Sequence, residues 1–168
     1  MSVFPIIYYP DARLKTPCEP VDTSGRAFEN DVRNLWDTMN AGPPRTVGIA
    51  APQIGIMKRI CIVDASRNPK YPPGNGLLIL INPIITAHHG EQTFREGCLS
   101  LPEYTGNVRR WQAITVEATT PDNEPLTLSS EGFEAVVLQH EIDHLDGILF
   151  LDRITNVKTD LFRRKAKG

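Results

Sequence analysis

The clearest chemical signal in the chain is a pair of histidines four positions apart, His140 and His144, with Glu141 directly after the first. Residues four apart lie on the same face of an α-helix, so both imidazoles can reach one metal ion. Glu141 can then accept a proton from a water molecule at that ion. The chain has only four histidines, so this pattern is uncommon by chance and predicts a metal site. The alternative is a helix that carries these residues for surface or core packing.

A catalytic metal usually has three protein ligands and one open position, so a third ligand is needed. No histidine or glutamate follows His144, and Phe150 stands where longer versions of this zinc-binding pattern have a third histidine. The adjacent histidines at 88–89 precede a glycine, which indicates an exposed turn. Cys98 is the better candidate because Gly97 permits close backbone approach and Pro102 is expected to end the segment. A lone cysteine is also commonly a buried apolar residue, and that interpretation stays open.

Two strong helices and three strands are predicted around these residues. Apolar residues recur at helical spacing over 22–41, and three residues at its start can act as N-terminal caps: Asp22, Thr23 and Ser24. A second helix follows Ser130, contains the histidine pair and ends at Gly147. A weaker helix is predicted over 157–165. The segments predicted as strands are 58–64, 77–85 and 112–119. Strands grouped around a central helix, without regular alternation, predict an α+β fold.

Length and composition set limits on the class of protein. A chain of 168 residues can form one domain with a sizeable core, which is predicted to span 1–168. Three widely spaced cysteines indicate free thiols in a reducing compartment rather than a disulfide framework. No export signal and no stretch long enough to cross a bilayer can be recognised. The chain is therefore predicted to be cytoplasmic, with neither membrane nor DNA as a partner.

The charge is distributed unevenly along the chain. The formal net charge is −2, but the last sixteen residues carry a net charge of +5, which leaves −7 for the remainder. This basic segment is predicted to contact a polyanion, or else to be a solvated helix end whose cations complement the helix dipole. Its basic residues are Arg153, Lys158, Arg163, Arg164, Lys165 and Lys167.

Three segments resemble, in order and spacing, the three signature motifs of peptide deformylase. They are Val-Gly-Ile-Ala-Ala-Pro-Gln at 47–53, Glu-Gly-Cys-Leu-Ser at 96–100, and Gln-His-Glu-Ile-Asp-His-Leu-Asp-Gly at 139–147. The resemblance extends over nearly the whole chain. It implies an α+β fold in which antiparallel sheets pack around the helix that carries the histidine pair.

The resemblance also implies the reaction, which is metal-dependent hydrolysis of the N-formyl group from the N-terminal methionine of newly made polypeptides, with release of formate. One divalent ion is implied, Fe²⁺ in the cell, with Zn²⁺, Ni²⁺ or Co²⁺ as substitutes. The implied ligands are Cys98, His140 and His144. Glu141 is expected to act as general base and then general acid. The Gln53 side chain and the Leu99 backbone N–H are expected to stabilise the oxyanion.

The residues that the resemblance assigns to substrate binding form two groups. Some are expected to pair with the substrate main chain as if it were an added strand: Val47, Gly48, Ile49 and Gly97. Others are expected to form an apolar pocket for the methionine side chain: Val47, Phe94, Phe133, Val136 and Val137. Without the resemblance these would be read as core residues. Nascent N-formylmethionyl peptides are the implied partners, and the basic segment is expected to contact the ribosome weakly.

The sequence departs from the family pattern in two places. Thr46 stands where the first motif usually opens with glycine, which is expected to stiffen the loop beside the substrate. Thr105 stands where some members carry an arginine near the outer substrate residues, and Arg109 is a candidate to compensate, whereas Arg110 matches a common position.

Two other functions remain open from the sequence. One is a small zinc endopeptidase that uses the same helix with a third ligand other than Cys98. The other is a non-enzymatic protein, either with a structural metal site or as an inactive relative that binds formylated peptides. Glu141 and Gln53 argue against the second, because a structural metal site needs neither.

Overall fold

Residues 2–23 and 26–165 are described by a computed structural model in which six antiparallel strands enclose one buried helix. The strands are β1 (Gly48–Ala50), β2 (Ile60–Asp64), β3 (Leu77–Cys98), β4 (Leu101–Thr119), β5 (Pro125–Glu131) and β6 (Leu161–Arg163). The helices are α1 (Arg26–Ala41), α2 (Gly132–Leu145) and α3 (Val157–Asp160). Short 3₁₀ turns cover Ala12–Lys15, Ala51–Ile54, Ala65–Arg67 and Phe150–Arg153. The predicted α+β class with antiparallel strands is confirmed.

The sheet runs in the order β1-β2-β3-β4-β5, and β6 pairs with the opposite end of β4. The long strands β3 and β4 form a ribbon that closes with the pairing of Cys98 and Leu101. This tight connection leaves only Leu99 and Ser100 between the strands. The ribbon therefore carries the cysteine of the second motif to a fixed position at its end.

Apolar residues occur around the whole circumference of the helix α2, which explains why it lies inside the protein. Every residue from Glu134 to Leu145 is buried, as expected for a helix enclosed on all sides. Ala135, Leu138 and Ile142 pack with residues of β2, β3, β4 and β5 in one core cluster. The polar residues of the helix are therefore buried as well, and each needs a partner or a function.

The predicted first helix is confirmed and begins at Arg26. Its buried residues Phe28, Leu35 and Met39 pack against apolar residues of β1 and β2. Ser24, one of the predicted caps, lies outside the described residues. None of the helices described combines the length and the apolar content needed to cross a membrane.

The predicted helix over 157–165 is wrong beyond Asp160. Leu161, Phe162 and Arg163 form β6 and pair with Gly106, Thr105 and Tyr104 of β4. Helix propensity is a weak preference, and here the unpaired edge of β4 offers hydrogen-bond partners that a solvated helix end would lack. Lys167 lies outside the described residues.

His88 and His89 are exposed as predicted, but the predicted turn is wrong, because both residues lie inside β3 and pair with Ile114 and Ala113. The His88 ring stacks on Trp111 with centroids 3.9 Å apart. Cross-strand contacts of this kind hold the ribbon together where local sequence favours a turn. For the same reason Pro102 lies within β4 instead of ending a segment, and the predicted strands 77–85 and 112–119 are parts of longer strands.

Candidate metal centre and active site

The side chains that could hold a metal come from the middle of α2 and the end of β3. The ligand atoms of Cys98, His140 and His144 all lie within 4.8 Å of one another, and all three residues are buried. The Cys98 Sγ atom is 3.3 Å from Nε2 of His144. Burial lowers the pKa of His144 well below its usual value, which favours the neutral imidazole that binds metals. One sulfur and two nitrogen donors with an open side suit a catalytic site for one transition-metal ion.

Glu141 lies beside this donor set and is buried on α2. Burial raises the pKa of its carboxyl group to about 7. Its Oε2 atom has no hydrogen-bond partner within the described part of the chain. A buried carboxylate oxygen without a partner is expected where a water molecule or substrate binds, so this atom also fits a hydrolytic metal site.

Gly48 of β1 makes room for this carboxylate. A Cβ atom at position 48 would collide with the Glu141 side chain, including its Oε1 and Cγ atoms. The glycine of the first motif is therefore needed for close approach between β1 and α2, in addition to any contact with substrate.

The side-chain amide of Gln53 is held beside the Cys98 sulfur by a hydrogen bond to its side-chain oxygen. The Gln53 Oε1 atom accepts a hydrogen bond from the Ala50 backbone N–H at 2.9 Å. The amide nitrogen is thereby directed toward Cys98 Sγ at 3.5 Å and Ser100 Oγ at 3.2 Å. Leu99, in the connection between β3 and β4, lines the same cleft. Both predicted oxyanion donors therefore lie next to the candidate metal ligands.

A buried charge network orients His140. Its Nδ1 atom lies 2.8 Å from the Glu96 carboxylate, which in turn accepts two hydrogen bonds from Arg110 at 2.6 and 2.9 Å. Burial alone would raise the pKa of Glu96, but the hydrogen bonds from Arg110 and His140 outweigh this effect and lower the pKa to about 2. A carboxylate behind a histidine ligand fixes the ring and raises its basicity.

Arg110 also links this network to the motif helix. It donates to Asp143 at 2.5 Å, and Arg153 donates to the same carboxylate at 2.5 and 2.6 Å. On sequence alone, no role is predicted for Glu96 or Asp143. The spacing of Glu96 and Cys98 was an available signal, because residues two apart lie on the same face of a strand.

A cleft of about 540 Å³ opens beside the donor set. Most of the predicted substrate residues line it: Val47, Gly48, Phe94, Gly97, Phe133, Val136 and Val137. The Ile49 side chain instead lies in the core against α1, so only its main chain is available at the edge strand β1. The ring centroids of Phe133 and Phe94 are 5.5 Å apart. Tyr71, for which the sequence predicted no role, stacks on the Phe133 ring with centroids 4.1 Å apart.

The two departures from the family pattern have structural consequences. The Thr46 hydroxyl donates to the Pro43 carbonyl oxygen at 2.7 Å and closes the turn before β1. Arg109 forms an exposed ion pair with Glu91 and does not line the cleft. Two other arginines lie in this region and line the cleft. Arg95 donates to the Thr105 hydroxyl at 3.1 Å, and Arg164, which belongs to the basic C-terminal segment, lies over Gly97.

A buried thiol, two helical histidines and an adjacent glutamate on an α+β scaffold define a metal-dependent hydrolase. The family described as polypeptide deformylase matches residues 3–160, and the chain belongs to this family. The peptide deformylase of Thermodesulfovibrio yellowstonii is 39% identical over 168 residues, which cover 99% of this chain and 98% of the relative. The peptide deformylase of Aquifex aeolicus is 42% identical over 149 residues, or 89% of this chain and 86% of the relative.

Solved structures agree with this assignment. The crystal structure of a peptide deformylase from Legionella pneumophila matches with a TM-score of 0.82 and 37% identity, covering 94% of this chain and 89% of that one. The peptide deformylase from Thermotoga maritima matches with a TM-score of 0.81 and 32% identity, covering 93% and 100%. The predicted family is confirmed, and neither the endopeptidase nor the inactive relative is favoured.

Proposed function

We propose that this deformylase removes the N-formyl group from the N-terminal methionine of newly synthesised polypeptides, with Cys98, His140 and His144 as the ligands of one divalent ion. The observation that carries the proposal is the convergence of their donor atoms within 4.8 Å, beside the Oε2 atom of Glu141, which has no hydrogen-bond partner in the described part of the chain. The family resemblance implies Fe²⁺ as the native ion, and a thiolate with two imidazoles can also bind Zn²⁺, Ni²⁺ or Co²⁺ as a substitute. The chemistry that such an ion supplies when bound is polarisation of the amide carbonyl and a lower pKa for water.

Glu141 moves the proton in this proposal. It takes a proton from the attacking water and delivers it to the leaving amine, acting first as general base and then as general acid. A pKa raised by burial to about 7 supports both steps, because the group can accept and release a proton near neutrality. Its Oε2 atom has no hydrogen-bond partner among the described residues, so that oxygen can contact the water.

The developing oxyanion is stabilised by the Gln53 side-chain amide and the Leu99 backbone N–H. The Ala50 N–H fixes the Gln53 amide before substrate arrives, so little reorganisation is needed during the reaction. Loss of one such donor typically raises the barrier by roughly 3 kcal/mol. Gln53→Ala is therefore expected to reduce kcat by about two orders of magnitude.

The substrate lies along the cleft as an added strand. The free edge of β1, at Val47, Gly48 and Ile49, and the exposed Gly97 supply main-chain partners that are indifferent to substrate sequence. The methionine side chain occupies the apolar pocket formed by Phe94, Phe133, Val136 and Val137. A formyl group carries only hydrogen on its carbonyl carbon, so a closely fitted site can accept it and exclude larger acyl groups.

Nascent chains leave the ribosome in the cytoplasm, and we place the enzyme there. The exposed Lys158 and Lys165 support a weak, salt-dependent contact with ribosomal RNA. Truncation after Asp160 would also remove β6 and Arg164, so substitution of the two lysines by alanine is the cleaner test. Unchanged cosedimentation with ribosomes at low salt would exclude these lysines from the contact.

The reaction can be tested by measuring formate release from formyl-Met-Ala, anaerobically, with Fe²⁺ or Ni²⁺ added to the purified protein. Glu141→Gln is expected to retain stoichiometric metal and to lose nearly all activity, because Glu141 contacts water and not the ion. Cys98→Ser is expected to lose metal affinity, whereas Cys18→Ser, at another buried cysteine, is expected to retain it. Metal binding that survives Cys98→Ser would reject the proposed ligand set and favour a site with a different third ligand.

A further inference from the structure

Arg164 enters the substrate cleft because the C-terminal segment is held against β4 as a strand. The backbone N–H of Arg164 donates to the Glu103 carbonyl oxygen at 2.7 Å, continuing the pairing of β6. Two residues earlier, the centre of the Phe162 ring lies 3.6 Å from the guanidinium carbon of Arg95 on β3. Residues two apart share a face of a strand, so Phe162 and Arg164 project to the same side. The backbone at Arg164 is thus held by strand pairing and by the packing of Phe162.

The guanidinium of Arg164 lies directly over Gly97. A Cβ atom at position 97 would collide with the Nη2 atom of Arg164, so the glycine provides the space that this side chain occupies. Arg164 lines the cleft together with Gly97, Cys98 and Leu99. Within the described part of the chain, no carboxylate lies within ion-pair distance of it.

The exposed charged residues that line the cleft are all positive. Arg45, Arg95 and Arg164 are exposed cleft residues, whereas the acidic lining residues, Glu96 and Glu141, are buried. The charge of Glu96 is already matched by Arg110. Arg95 is held by Phe162 and by a hydrogen bond to the Thr105 hydroxyl at 3.1 Å. Arg164 is therefore a cation at the main-chain binding edge, and residues 2–23 and 26–165 supply no carboxylate partner for it.

We propose that Arg164 is a specificity-determining residue that binds a carboxylate on the substrate, supplied by an acidic side chain at the second or third position of the formylated peptide. The inference rests on the proposed function, in which the substrate main chain pairs at Gly97. Alternate side chains of an added strand point to the sides of the cleft, where the guanidinium lies. An arginine in this position can bind a carboxylate through two parallel hydrogen bonds.

The test compares kcat/KM for three amidated peptides, formyl-Met-Ala-Glu-amide, formyl-Met-Ala-Gln-amide and formyl-Met-Ala-Lys-amide, together with formyl-Met-Glu-amide. For the wild-type enzyme we expect the glutamate peptides to exceed the glutamine peptide by about threefold to fivefold, the range for an exposed ion pair. The difference should lie in KM, since the charge is remote from the reacting bond, and should diminish at high salt. Comparison of kcat/KM for formyl-Met-Ala with a free carboxylate and for its amide shows whether a terminal carboxylate can take the place of an acidic side chain.

Variants at Arg163 and Arg164 distinguish a specific contact between Arg164 and the substrate from a general effect of positive charge. Arg164→Ala should abolish the preference for glutamate, Arg164→Lys should retain part of it, and Arg164→Glu should favour the lysine peptide. The matched control is Arg163→Ala, which removes the same charge from an exposed residue that pairs with Glu103 outside the cleft. It should leave the ratio between acidic and neutral peptides unchanged.

Four outcomes would overturn the inference or its basis. Equal kcat/KM for acidic and neutral peptides in the wild type, or an equal response of Arg163→Ala and Arg164→Ala, would show that Arg164 does not read substrate charge. If only the peptide with a free terminal carboxylate is preferred, Arg164 binds the peptide terminus and not an acidic side chain. Absence of formate release from every peptide by the metal-loaded enzyme would reject the proposed function itself.

Discussion

Substitution of Arg110 by methionine should destabilise the fold far more than the same change at Arg109. The side chain of Arg110 is 1% exposed, and its partners Glu96 and Asp143 are 4% and 8% exposed. Methionine can fill the space of the arginine stem but leaves the Glu96 carboxylate buried without its main counter-charge. Removal of one member of a buried ion pair typically costs about 3–5 kcal/mol.

We expect the lower part of that range, about 3 kcal/mol, because Asp143 keeps its hydrogen bonds with Arg153. This is a large share of the roughly 5–15 kcal/mol by which a typical domain is stable. At about 2–4 °C for each kcal/mol in a chain of this size, Tm should fall by roughly 6–12 °C. Arg109→Met removes an ion pair whose side chains are 68% and 52% exposed, and should cost less than about 1 kcal/mol.

Both free energies can be measured by urea unfolding with a chelator present, so that metal binding to the folded state does not contribute. The two variants should retain the wild-type dependence of unfolding free energy on urea, which would show that the unfolded states are alike. Losses for Arg110→Met and Arg109→Met that agree within 1 kcal/mol would refute the argument from burial. The network of Glu96, Arg110 and Asp143 would then be a minor contributor to stability.

Four further results are expected. Gly48→Ala should lower kcat at least tenfold while metal content is retained, because the added Cβ displaces Glu141; unchanged kcat would mean that the carboxylate can adjust freely. In the folded protein at pH 8, Cys18 and Cys61 should resist iodoacetamide, because burial raises the pKa of both thiols, that of Cys18 to about 11. Addition of Ni²⁺ should protect Cys98 in peptide maps of alkylation, and no protection would count against it as a ligand. Enzyme loaded with Fe²⁺ should lose activity in air, whereas an air-stable ferrous enzyme would contradict ligation by a thiolate.

The sequence determined the features that depend on short-range geometry. Helical spacing fixed His140 and His144 on one face of α2 with Glu141 beside them, because residues four apart meet on any α-helix. The apolar period of α1 was equally reliable, since a surface helix must bury one stripe. The three motifs were sufficient to predict the family and the α+β class.

The tertiary structure decided which distant segments meet. Pairing of β3 with β4 brings Glu96 and Arg110 together behind His140, although fourteen positions and a chain reversal separate them. The C-terminal segment has a composition compatible with a helix, yet it pairs with β4 because that edge offers unsatisfied backbone groups and a place for Phe162 over Arg95. Strand pairing depends on partners remote in sequence, so local composition could not show that Arg164 reaches the substrate cleft.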